Sequence, residues 1–154
     1  MRVMRSGTAG APFDHVVELM RDDRLLTGIH RLEHHLDATD LRLEVPVEVE
    51  TGPVTSVERP VRVAVQPFTI QAKERDHLYP ILDAELEVTA VDRQTSEIAI
   101  DGSYRPPGRL IGSVVDRLLL HRIADAAIDR MFDWTIERAE QTWRAESPTR
   151  GIPL

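Results

Sequence analysis

The residues best able to do chemistry in this chain fall in two places. The first is His30-Arg31-Leu32-Glu33-His34, an H-x-x-E-H spacing with His35 beside it. On a helix, His30 and His34 would share one face about a turn apart and could hold a zinc ion, with Glu33 as base. Leu25, Ile29, Leu32 and Leu36 fit helical spacing. A strand is the stronger reading, because Asp37-Ala38-Thr39-Asp40 has the composition of a hairpin turn. Residues four apart on a strand are separated by roughly 13 Å, too far to chelate one metal. No bound metal is therefore expected at His30, His34 and His35.

The second place is Tyr104 with His121. Tyr104 shares strand parity with Ile98 and Ile100, and His121 falls in line with Val114, Leu118, Ile128 and Phe132. A buried histidine beside a tyrosine could act as general acid or base on a ligand, and Asp125 lies one turn on as a partner. His77 and Tyr79 precede the strand from Ile81 and belong either to a cavity mouth or to a solvated turn. No serine has the setting of a nucleophile elbow, and Ser6-Gly7-Thr8-Ala9-Gly10 lacks the Lys-Ser/Thr continuation of a phosphate loop. Cysteine is absent, which excludes a thiolate nucleophile, a cysteine-based zinc site and a disulfide framework.

These residues must be positioned by elements that the pattern makes plain. Leu43, Val45, Val47 and Val49 alternate with polar residues, as do Val61, Val63 and Val65 with the Phe68, Ile70, Ala72 run after them. Leu82, Ala84, Leu86, Val88 and Ala90 form a third apolar row, and Ile98, Ile100, Gly102 and Tyr104 a fourth. Period-two alternation with one acidic face predicts an antiparallel sheet covered on a single side, its outer face solvated. Asp92-Arg93-Gln94 reads as the turn of a hairpin pairing Val88 with Ile98. Pro46, Pro60 and Pro67 place their strands at an edge or at a bulge.

The cover is a C-terminal helix over most of residues 110–143, because nothing from Arg109 to Ala145 breaks a helix. Ala124, Ala127, Ile128, Met131, Phe132, Thr135 and Ala139 form its apolar stripe, opposite Asp125, Asp129, Asp133 and Glu137. The earlier Ile111, Val114, Val115, Leu118 and Leu119 face elsewhere. Either the helix bends near His121, or Leu110 to Leu120 pack on a partner chain and are a candidate homodimer surface.

Length and composition bound the rest. The 154 residues suit one domain, expected over 1–146 with a flexible tail at 147–154. A net charge of −7 argues against nucleic-acid phosphates and anionic lipid as main partners. Asp116, Arg117, Arg122, Asp125 and Asp129 interrupt the only candidate membrane span, and Gly7 to Pro12 is too short and polar for a signal-peptide core. A cytoplasmic protein without membrane insertion is expected.

Sheet, turn and helix together carry a resemblance. An N-terminal strand with short helices, a curved antiparallel sheet, then Tyr104-Arg105-Pro106-Pro107-Gly108-Arg109-Leu110-Ile111-Gly112 into a long final helix resembles the START and pollen-allergen-like helix-grip superfamily (SRPBCC, polyketide cyclase/dehydrase-like). Within it, Leu82 to Glu87, Tyr104 to Gly112, Asp116 and His121-Arg122 are similar to an actinobacterial branch, the likeness resting on residues 78–140. The resemblance implies an α+β fold in which about six to seven strands grip the helix, with short helices near the N-terminus. It also implies a cavity for a lipid, sterol, polyketide or other small apolar ligand, with no cofactor. Phe68, Tyr104, His121, Met131 and Phe132 are the residues expected to line it. Three functions follow: a carrier or sensor of an apolar ligand, a cyclase- or aromatase-like enzyme using His121 and Tyr104, or a filled-core interaction module.

Overall fold

The computed structural model describes residues 2–29, 31–36, 41–58, 60–73, 81–105 and 114–147, with backbone alone for 31–36, 41–45, 114–120 and 123. His30, the Asp37–Asp40 turn, His77, Tyr79 and the Pro106–Gly112 junction lie outside the described residues, as do the side chains of the candidate homodimer surface. The elements in chain order are β1 (Arg2–Ala9), α1 (Phe13–Arg21), β2 (Arg31–Leu36), β3 (Leu41–Thr51), β4 (Thr55–Val57), β5 (Val63–Ala72), β6 (Ile81–Ala90), β7 (Ser96–Arg105) and α2 (Val114–Glu146).

The seven strands form one antiparallel sheet in the order β1-β7-β6-β5-β3-β2, with β4 paired to β5. Much of the alternation read in the sequence becomes the two faces of this sheet: Phe68, Ile70, Leu82, Leu86, Val88, Ile98, Ile100 and Tyr104 are all buried. The row of Val61, Val63 and Val65 is a correction: Ala64 and Gln66 are the buried residues there, Val63 and Val65 are half-buried and Val61 is exposed, because β5 keeps the parity of Phe68 and Ile70 along its whole length. Val88 pairs with Ile98 across the β6–β7 hairpin. Its turn is held by the Asp92 carboxylate, which accepts from the backbone N–H of Gln94 and of Thr95 at 2.8 Å each.

Residues 31–36 are a strand, so Glu33, His34 and His35 sit on β2 opposite Glu44, Leu43 and Arg42. The helix that the H-x-x-E-H reading needs is not formed there. No cluster of three metal-binding side chains occurs among the described residues.

Two further expectations need correction. Pro67 lies in an interior strand, with β6 on one side and β3 and β4 on the other. β4 pairs with β5 as far as Val65 and β3 takes over at Phe68, so Pro67 falls in the break between the two partners. Its carbonyl accepts from Gly52 N–H at 2.7 Å. On a strand the N–H and C=O of one residue point to the same side, so the donor that proline lacks would have faced this corner rather than a continuous ladder.

Second, α1 is the one N-terminal helix among the described residues, where several short ones were expected. It ends in a Schellman arrangement: Arg24 N–H bonds Leu19 C=O at 2.8 Å and Asp23 N–H bonds Met20 C=O at 3.3 Å. The left-handed residue is Asp23, with φ of 52°, a place usually taken by glycine. Residues 22–29 then run as turns into the core through Leu25, Leu26 and Ile29.

Helix α2 lies on the inner face and buries Ala124, Ala127, Ile128, Met131, Thr135 and Ala139. The Thr135 hydroxyl is satisfied by the Met131 carbonyl at 2.7 Å, which makes a polar residue tolerable in that stripe. β6 and β7 approach closely at Gly102: a Cβ there would lie 2.5 Å from the Ala84 Cβ and 2.9 Å from the Asp83 carbonyl oxygen. Only glycine opposite alanine permits that approach.

Candidate functional site

The sheet brings Leu82 of β6 opposite Tyr104 of β7 and Ile70 of β5, because β5 and β7 end where β6 begins. The first half of α2 crosses this end of the sheet. There the Tyr104 hydroxyl lies 3.4 Å from His121 Nδ1, with the two rings stacked at 23° and 6.3 Å between centroids. The Asp125 carboxylate lies 3.5 Å from His121 Nε2, one turn along the helix. Arg5 of β1 reaches Asp125 at 3.7 Å and Asp129 at 2.5 Å. A polar chain thus runs Arg5–Asp125–His121–Tyr104 across three elements. Burial, and then the negative charge of Asp125, pushes the Tyr104 hydroxyl above the ordinary tyrosine value, so it stays protonated.

The inner wall is unevenly packed. Leu86, Val88, Ile98, Ile100 and Met131 have 0% exposure, whereas Leu82 keeps 7% and Ala84, Tyr104 and Ala127 keep 8% each. Leu82 and Tyr104 lie beside His121, whereas Ala84 also floors the depression on the outer face, and Val3, Val17 and Ala124 keep 5–6% elsewhere.

The residues expected to line a cavity separate accordingly. Tyr104 and His121 are in contact. Phe68 is buried on the same face, opposite Ala84. Met131 lies deeper, with no exposed surface. Phe132 is turned toward β1, where its ring covers Gly7: a Cβ there would meet Phe132 Cζ at 2.9 Å. A glycine in β1 and an aromatic in α2 therefore serve one contact, away from Tyr104.

His15 of α1 was not singled out from sequence. It is buried, 2.9 Å from the Thr142 hydroxyl through Nε2, 3.8 Å from Glu146, and 5.2 Å from the Trp143 ring. It pins α1 to the last turns of α2. A histidine followed by Val16 and Val17 on an amphipathic helix is the signal that marks it, but the partners lie at the other end of the chain.

The outer face has its own open depression of about 750 Å³, floored by Ala84 and Gly102 and rimmed by Arg2, Asp83, Glu85 and Asp101. Its charges are largely matched. Arg2 binds Asp101 through two bonds of 2.9 and 2.5 Å, and Arg105 binds Asp83 at 3.0 Å. Hydrogen bonding to Arg2 holds the Asp101 carboxyl below the usual range. This is the solvated acidic face read from the sequence, not an apolar cavity.

Solved structures share this architecture. A conserved protein from Geobacillus kaustophilus matches with a TM-score of 0.51 at 14% identity, over 92% of this chain and 97% of that one. The Zhui aromatase/cyclase from Streptomyces sp. R1128 matches at 0.52 and 11% identity, over 96% and 95%. Ara h 8.0201 matches at 0.50 and 9% identity, over 90% and 97%. The chain has the helix-grip fold. No family model matches the sequence, and neither does any curated protein. Among the described residues, no helix is long and apolar enough to cross a membrane.

Proposed function

We propose that this helix-grip chain binds a small apolar ligand between its sheet and α2, at the end marked by Tyr104 and His121. The graded exposure of the inner wall supports the reading. Leu82 and Tyr104, paired across β6 and β7 beside His121, keep 7% and 8% of their surface, whereas Leu86 and Ile100 further along the same strands keep none. The walls are aliphatic with few polar groups, as small-molecule pockets commonly are. Helix-grip neighbours that include an aromatase/cyclase are consistent with it. Titration with Nile red, alongside native mass spectrometry of protein purified from its own host, tests it. Saturable dye binding and a retained non-covalent mass are expected; neither appearing would reject the pocket.

The Tyr104–His121 contact favours a second reading, acid–base chemistry on a ligand in the same pocket. Exchange of the α-protons of a bound aryl methyl ketone for solvent deuterium, lost on His121→Ala, is its test.

A further inference from the structure

Helix α1 is fastened to the end of α2 by a buried titratable group, and the atoms around that group bear on its charge. His15 is 2% exposed, yet both of its ring nitrogens face acceptors. Nε2 lies 2.9 Å from the Thr142 hydroxyl, whose own hydrogen is directed to the Arg138 and Ala139 carbonyls at 2.8 and 3.1 Å. The Thr142 oxygen therefore accepts, and Nε2 carries a proton. Nδ1 faces the Glu146 carboxylate at 3.8 Å, so a neutral ring would turn a lone pair toward an anion.

The surroundings favour a second proton on that nitrogen. Helix α2 ends at Glu146, and the negative end of its dipole falls on the turn that holds Trp143 and Glu146. The Trp143 ring, 5.2 Å away, is within cation–π range. Arg24, in the turns after α1, bonds Glu146 at 2.8 Å, and that bond, then the charges of Glu146, Asp22 and Glu18, hold its pKa up. Three carboxylates around one guanidinium leave an excess of negative charge that an imidazolium offsets. Burial and the first turn of α1 oppose the cation. The Asp14 carboxylate in that turn is engaged by Arg62.

We propose that His15 is a pH-operated clamp: its imidazolium, held between Thr142 and Glu146, docks α1 on the last turn of α2, and loss of the proton loosens that contact. The docked ring holds its proton more tightly than the free one. The docking it supplies is therefore complete below the ordinary histidine value, about pH 6.5, and is lost as the pH rises through the higher value of the docked ring.

Histidine ring NMR on the full chain from pH 5 to 9 reads the protonation, with His15 identified by the signal lost in His15→Gln or by its cross-peaks to Trp143. A midpoint above about 6.5 is expected, lowered by about one unit, a ten-fold change in proton affinity, in Glu146→Gln. Amide exchange of α1, corrected for its intrinsic pH dependence and referred to the amides around Ile128 of α2, reads the docking. It should quicken about ten-fold for each pH unit between 6.5 and the His15 midpoint. His15→Gln keeps a donor for Thr142 but never carries charge, and should remove that dependence. If this variant fails to fold, Glu146→Gln at a one-third-exposed position decides, its exchange quickening at correspondingly lower pH. A His15 midpoint at or below the ordinary value, a midpoint unmoved by Glu146→Gln, or a pH dependence that survives His15→Gln overturns the clamp.

Discussion

Met131 and Ala127 lie one turn apart on α2 and should respond oppositely to added bulk. Met131 has 0% exposure, so an indole in its place has no void to enter. Met131→Trp is an overpacking change, expected to cost about 1–3 kcal/mol. For a chain of this size each kcal/mol lowers the melting temperature by roughly 2–4 °C, which gives a fall of about 2–12 °C. Ala127 keeps 8% of its surface. Ala127→Leu adds three carbons where space remains, and leucine is nearly as good a helix former as alanine. Its stability should stay within about 1 kcal/mol of the parent, while the new side chain fills the ligand volume. Melting followed by circular dichroism reads the first effect, and Nile red titration the second. The expected pattern is a destabilised Met131→Trp that still binds dye when folded, and a stable Ala127→Leu that does not. Equal destabilisation by both, with no dye bound by the parent, would show that the core is filled at both ends.

Gly102→Val should destabilise strongly, by about 3 kcal/mol or more, since its Cβ would meet Ala84 and the Asp83 backbone at once; a melting temperature within a degree of the parent contradicts the close approach. Truncation after Leu120 removes Ala124 to Ala139 from the inner face, so no cooperative melting transition is expected; a soluble truncated chain that melts cooperatively would mean another element covers the sheet. Arg62 holds the Asp14 carboxyl below its usual range, and the backbone N–H of Gln94 does the same for Asp92. Folded values below the unfolded ones give stability that is present above about pH 4 and lost as the pH falls further. Asp92→Asn should therefore narrow the gap between melting temperatures at neutral and acid pH, and an unchanged gap removes Asp92 from the acid transition. Tyr104 has the opposite sign: a raised folded value favours the fold below the ordinary tyrosine range and is lost as the pH rises through it. Ultraviolet titration should show a late tyrosinate step that disappears in Tyr104→Phe, and a step unaffected by that change assigns it elsewhere.

The sequence by itself determined the elements and their faces. Strand alternation is a local rule, so the rows through Leu86 and Ile100, the Phe68–Ile70 pair and the helix stripe through Ala124 and Met131 could be read residue by residue and match the buried face, whereas the row of Val61, Val63 and Val65 does not, Ala64 and Gln66 turning inward in its place. The Val88–Ile98 hairpin was legible for the same reason, its turn being closed by residues within it. What the pattern could not carry was which elements meet. Pro67 looked like an edge residue because the gap between β3 and β4 is created by two segments elsewhere in the chain. The end of α1 was hidden because Asp23 takes a conformation usually marked by glycine. Phe132 follows Met131 by one residue, and only the position of β1, with Gly7 beneath the ring, turns it away from Tyr104. The site depends most on this. Tyr104 and His121 each had the right parity, but their contact, and the carboxylate and arginine behind them, exist because β1, β7 and α2 converge at one end of the sheet. Periodicity specifies the direction of a side chain relative to its own element; the distance between two such side chains is set by packing, which no single segment contains.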